Sequence, residues 1–97
     1  MTIEVRQTAE FRDWLRRLKD ANAVARIVAR IRRVEQGNLG DNKSLGGGPM
    51  EMRIDHGPGY RVYFVRHGEA IVILLCGGDK HGQQRDIVRA RKLAEGV

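Results

Sequence analysis

Arg53 and Arg61 stand on either side of a His-Gly-Pro-Gly turn at positions 56–59, inside two segments that alternate apolar and polar residues. Met50, Met52 and Ile54 alternate with Glu51, Arg53 and Asp55, and Tyr60, Val62 and Phe64 alternate with Arg61, Tyr63 and Val65. A period of two marks strands, and a hairpin must keep its apolar residues on one face, because a slip of one residue exposes them all. That requirement pairs Met50 with Phe64, Met52 with Val62 and Ile54 with Tyr60. It also sets Arg53 opposite Arg61, and Glu51 opposite Tyr63, on the other face. Like charges directly opposite each other destabilise a hairpin. Two readings follow: solvated arginines on an open sheet face, offset by Glu51, Asp55 or water, or an anion site with a phosphate between two guanidinium forks.

A third cation lies nearby. Asp79-Lys80-His81 follows Gly77-Gly78, which are expected to stop the apolar run Ile71 to Leu75. If the third strand lies next to the second, Lys80 is one strand away from the arginines. Histidine titrates near neutrality, so His81 is the candidate proton carrier; its bland reading is an exposed residue at a helix entry. His56 and His67 read as turn residues. The three His are not at ligand spacing and Cys76 is the lone Cys, so no metal site and no disulfide are expected. Ser44 is the lone Ser and sits in a Gly-rich loop, which leaves no nucleophilic triad. No dinucleotide or phosphate-loop pattern is present. What remains is cofactor-free chemistry on an anionic substrate. Phosphodiester cleavage by 2′-hydroxyl attack fits, since it needs cations for the charge of the pentacovalent phosphate and a weak acid and base. Arg53, Arg61 and Lys80 supply the cations, and His81 or Tyr63 part of the proton transfer.

These residues need a scaffold, and 97 residues with 41% apolar content suffice for one domain, residues 1–97. The net charge is +6, and 14 of the 18 basic residues are Arg, whose planar fork suits phosphate and stacks on bases. A nucleic-acid or other anionic partner is expected. No leader opens the chain and no apolar run approaches the roughly 20 residues of a membrane span, so a cytoplasmic protein with no membrane partner is expected. Residues 2–6 alternate as a strand. Thr8 is a candidate N-cap for a helix with the stripe Phe11, Trp14, Leu15 and Leu18. Asp20 and Asn22 can cap a second helix with Val24, Ile27, Val28, Ile31 and Val34 inward, ended by Gly37. The outer face of this helical hairpin holds Arg12, Arg16, Arg17, Lys19, Arg26, Arg30, Arg32 and Arg33, and residues 8–34 carry a net +5. That face is either solvated or phosphate-facing. Residues 39–49 read as loop, and Ile87, Ala90, Arg91 and Ala94 form a weaker last helix. The fold class is α+β, β-α-α-β-β-β-α, with helices against one face of a mostly antiparallel four-stranded sheet.

The element order, Met50-Glu-Met-Arg-Ile-Asp, Gly57-Pro-Gly-Tyr-Arg-Val-Tyr-Phe and Leu74-Leu-Cys-Gly-Gly-Asp-Lys together resemble the RelE/ParE toxin superfamily, in its HigB-like, phage Gp49-like "addiction module killer" branch. The resemblance covers nearly the whole chain. It implies the toxin of a type II toxin–antitoxin system, a metal-independent mRNA interferase that cuts mRNA in the ribosomal A site. By motif, Arg53, Arg61 and Lys80 take the catalytic role, to which the residues themselves add His81; Arg16, Arg17, Arg26, Arg30, Arg33, Tyr63 and Arg85 are expected to face RNA. The implied partners are the ribosome with mRNA and a HigA-like helix-turn-helix antitoxin, through which alone operator DNA is reached. The same fold also serves ParE-like gyrase poisons, and an inactive toxin can persist as an operon co-repressor. The chain departs from the pattern at His81, where a small polar residue is usual, and its last segment has no tyrosine.

Overall fold

In a computed structural model, which describes residues 2–97, the first strand β1 (Glu4–Gln7) runs directly into the cap of α1 (Ala9–Arg17). The Thr8 hydroxyl oxygen accepts from Phe11 N at 3.0 Å and its proton goes to the Leu75 carbonyl at 2.6 Å, so one side chain starts the helix and fastens it to the sheet. Phe11 is fully buried, with Trp14, Leu15 and Leu18 packed around the same core. Asp20 accepts from Asn22 N and Ala23 N and starts α2 (Ala21–Glu35); Asn22 lies inside that helix. Ala23, Ile27, Ile31 and Val34 are buried at helical spacing, and Gly37 (φ 94°) lies just beyond the helix end.

The remaining elements are β2 (Asn42–Ser44), β3 (Met50–Ile54), β4 (Tyr60–His67), β5 (Ile71–Asp79), a 3-10 turn (Lys80–Gly82) and α3 (Gln83–Ala94). They form one α+β sheet in the order β1-β5-β4-β3-β2, with only the β1–β5 pair parallel. The expected hairpin register is present, including Arg53 opposite Arg61 and Glu51 opposite Tyr63. Two expectations are corrected. The sheet has five strands rather than four, because Asn42–Ser44, read as loop, pairs with Met50–Met52. Three polar residues carry no periodic signal of their own; they are ordered by the unpaired edge of β3. Gly77 and Gly78 do not stop β5, which continues to Asp79 against Tyr60–Val62, with Leu75 as an extra residue between the Tyr63–Cys76 and Phe64–Leu74 pairs.

A third correction concerns the layers. Val62, Phe64, Val72 and Leu74 pack under α1 and α2, while Tyr63, Val65, Ile73 and Leu75 pack with Ala90 under α3. Helices therefore cover both faces. β4 and β5 are apolar on both sides, and strands of that kind need two covers. An ion pair links the two helical layers at one end, where Arg89 Nε donates to both carboxylate oxygens of Glu10, at 3.0 and 2.9 Å. That bond holds the Glu10 carboxyl below its ordinary 4.5. A carboxyl lowered by folding adds stability above its unfolded value, and this contribution disappears as pH falls through the folded value. The gap in melting temperature between wild type and Glu10→Gln is therefore expected to be full above pH 4.5 and to close below it. A gap unchanged at pH 3 counts against the pair.

Candidate functional site: a cationic cleft at the hairpin end

Where the β3–β4 turn meets the end of β5, an open cleft of about 540 Å³ is lined by Arg53, Arg61 and Lys80 together with Asp41, Asp55 and Gly59. One hairpin and the end of β5 supply the cations. The hairpin register brings in the two arginines, and the antiparallel β4–β5 pair sets Arg61 opposite Gly78, two residues before Lys80. Gly59 (φ 82°) lets the turn close beside them: a Cβ at that position would touch Arg61 Nη1 at 3.4 Å and Lys80 Cβ at 3.6 Å.

The arginines are held differently. Arg53 is exposed and donates to Asp41 Oδ1 at 2.9 Å, which pushes its pKa further up. Arg61 is largely buried: its side chain is 14% exposed, and Nη1 donates to the Gly59 and Tyr60 carbonyls at 3.2 and 3.3 Å. Its Nε lies 3.6 Å from Oε1 of Glu51, a carboxylate with no exposed surface. Gln83 of α3 donates to that same oxygen at 2.7 Å, and Lys43 Nζ of β2 lies 3.8 Å from the other. The like-charge arginine pair is therefore offset by two carboxylates, Asp41 on Arg53 and Glu51 on Arg61. Glu51 was legible as a neighbour on the arginine face. Asp41, Lys43 and Gln83 were not, because each reaches the site through an element without a signal at that position.

The other sequence candidates divide. His81 does not line the cleft: its side chain is 84% exposed, and its backbone N–H donates to the capping Asp79. Tyr63 is corrected from RNA contact to core residue. It has no exposed surface, because α3 covers the sheet face that was expected to be open. Burial and the nearby Glu51 charge push its hydroxyl's pKa well up, and among the described residues the hydroxyl has no hydrogen-bond partner. Tyr63→Phe is thus expected to leave stability unchanged or raise it by up to about 1 kcal/mol, read as a urea midpoint; a loss of that size argues for a partner.

Arg30 turns inward, donating to the carbonyls of Arg53, Leu39 and Asp41, and so holds the Asp41 loop rather than facing solvent. Arg26 and Arg33 flank it along a groove that shares Ile54 and Asp55 with the main cleft. Arg17 and Arg85 border a second cleft of about 340 Å³, beside Trp14 and Tyr60. Arg16 is exposed on α1, 3.6 Å from Asp13. Among the described residues no group of His, Cys, Asp or Glu has the placement to hold a metal ion, and no helix is long and apolar enough to cross a membrane.

Comparison with known proteins adds four similarities. The family described as phage derived protein Gp49-like (DUF891) matches residues 13–95. An uncharacterized protein of Haemophilus influenzae is 50% identical over 95 residues, covering 98% of this chain and 96% of the relative. Among solved structures, a mutant of the E. coli toxin RelE in its free state superimposes with a TM-score of 0.77 at 15% identity, over 95% of this chain and 97% of RelE. The RelBE2 toxin–antitoxin complex of Mycobacterium tuberculosis gives 0.67 at 21% identity, over 82% of this chain and 100% of the matched one. The shared fold is that of RelE.

Proposed function

Starting from the fact that this chain belongs to the phage derived protein Gp49-like family, we propose that it is the toxin of a type II toxin–antitoxin system that cuts mRNA on the ribosome. The observation that carries this reading is the cluster of Arg53, Arg61 and Lys80 around one open cleft. Its neighbours are polar and its mouth is wide, which suits a polyanionic strand rather than a small apolar ligand. The RelE fold, in which two relatives are toxins by name, supports the same reading.

In the proposed reaction the 2′-hydroxyl of one nucleotide attacks the adjacent phosphorus. The 2′-O–P bond forms and the P–5′-O bond breaks, leaving a 2′,3′-cyclic phosphate and a free 5′-hydroxyl. Arg61, fixed in the cleft wall, and Arg53 and Lys80, at its mouth, stabilise the extra negative charge of the pentacovalent phosphorane. Water takes the proton that leaves the 2′-oxygen, and another proton reaches the 5′-oxygen. His81, adjacent to Lys80 along the chain and freely exposed, is proposed as the donor to the leaving oxygen. The groove along Arg26 and Arg33 continues the positive surface away from the cleft, where flanking RNA would run. That RelBE2 is a toxin–antitoxin complex supports a cognate antitoxin as the neutralising partner, proposed here as a HigA-like helix-turn-helix protein. A ribosome substrate places the activity in the cytoplasm.

The test is mRNA cleavage with and without 70S ribosomes, with new 5′ ends mapped by primer extension. Cuts within the A-site codon that require ribosomes and persist in EDTA are expected. A folded preparation that makes no cuts, and that halts DNA synthesis before protein synthesis on induction, moves the assignment to gyrase poisoning.

A further inference from the structure

We infer that Glu51, a carboxylate no substrate can touch, is a positioning residue for the cleft: it orients the Arg61 guanidinium. The inference rests on the proposed cleavage at that cleft. Its starting point is a departure from ordinary core chemistry. Glu51 lies between β2 and β4 under α3, with no exposed surface. Burying a carboxylate is unfavourable, and a buried ion pair adds little net stability over an uncharged pair of similar shape. This one is also incompletely satisfied. Among the described residues four buried side-chain atoms lack a hydrogen-bond partner, and Glu51 Oε2, Arg61 Nε and Tyr63 Oη are three of them, on adjoining residues of one sheet face. A stable core does not require this group, so its placement against a cleft arginine needs another reason.

The geometry supplies one. Gln83 fixes Oε1 from α3 at 2.7 Å, and that oxygen faces Arg61 Nε at 3.6 Å. The Gly59 and Tyr60 carbonyls take Nη1. The guanidinium is thus hydrogen-bonded through Nη1 and faces the Glu51 charge at Nε, where the 3.6 Å approach is an ion contact. A fork held in this way meets the phosphorane without reorganising, which is how an aligned charge acts on a transition state rather than on binding. Among the described residues the Arg53 side chain is held by Asp41 alone, without an equivalent restraint.

The test is Glu51→Gln, which keeps the shape and an acceptor for Gln83 and removes the charge. Its Tm is expected to stay close to that of wild type, because Arg61 keeps the Gly59 and Tyr60 carbonyls and borders the open cleft. In ¹⁵N spectra, the Arg61 Nε–H signal, assigned through loss in Arg61→Lys, is expected to be sharp and slowly exchanging in wild type and to broaden or exchange faster in Glu51→Gln. In single-turnover cleavage on ribosomes, kcat falls about tenfold while KM stays within twofold, and Glu51→Asp recovers part of the loss. An unchanged Nε–H signal, or a variant with wild-type kcat, overturns the inference, as does a loss confined to KM. Wild-type protein that cuts nothing rejects the cleavage reading instead, and the Nε–H comparison still decides whether Glu51 orients Arg61.

Discussion

Arg61→Ala is expected to abolish growth inhibition on induction, with ribosome-dependent cleavage reduced at least about a hundredfold, the scale for removing one preorganised charge from a transition state. The same substitution is expected to destabilise the protein by roughly 3 kcal/mol, because it leaves Glu51 buried with only the half-exposed Lys43 as a cationic neighbour. From the sequence, Arg61 reads as a surface arginine whose loss leaves the fold intact; its burial beside Glu51 changes that expectation. The two effects separate in the double variant Arg61→Ala with Glu51→Gln. Removing both charges should recover most of the lost stability, measured as a urea midpoint, while activity stays lost. A folded Arg61→Ala protein that still arrests growth rejects the site. A double variant that regains activity along with stability shows that Arg61 serves only the fold.

The second large effect is at Gly77, whose part is packing and not chemistry. A Cβ there would lie 2.3 Å from Cε3 of Trp14, well inside contact distance. The Trp14 ring stands against Phe11 and Tyr60, with centroids 5.7 and 6.3 Å away, so it has little room to retreat. Gly77→Ala must push α1 off β5 or turn the indole out of its place. Overpacking of this kind costs about 2–3 kcal/mol, a drop of roughly 10 °C or more in Tm for a domain of this size. Gly78→Ala is the internal comparison. The added methyl would meet Asp86 Oδ2 at 1.9 Å, but that atom is the end of one flexible side chain, not a ring wedged between two others. Gly77→Ala is therefore expected to melt well below Gly78→Ala. Equal melting temperatures would mean that Trp14 does not define the packing of α1.

The helices were legible because their signals are local. Thr8 caps α1, Asp20 caps α2, and the buried stripe of α2 recurs every three or four residues. The hairpin register was legible for a similar reason: only one alignment puts Met50, Met52 and Ile54 on the same side as Tyr60, Val62 and Phe64. With it came the facing arginines. The cover over the second sheet face was harder to read. In α3 only Ala90 is buried, so the helix carries a weak stripe, and Tyr63 looked like a surface aromatic because nothing near it in sequence announces a lid.

Residue order alone thus dictated the elements other than β2, their capping, the strand pairing at the turn and the charge on it, all properties set by neighbours within a few positions or by one alternating pattern. The assembled chain decided which of those charges are free. Arg30 donates to the Arg53 carbonyl 23 positions away, Gln83 reaches Glu51 across 32 and Arg89 reaches Glu10 across 79. These partners lie on different elements, and no periodicity relates them. Whether an arginine holds a loop, a buried carboxylate or a phosphate depends on desolvation and distance, and both arise only when sheet and helices close on one another.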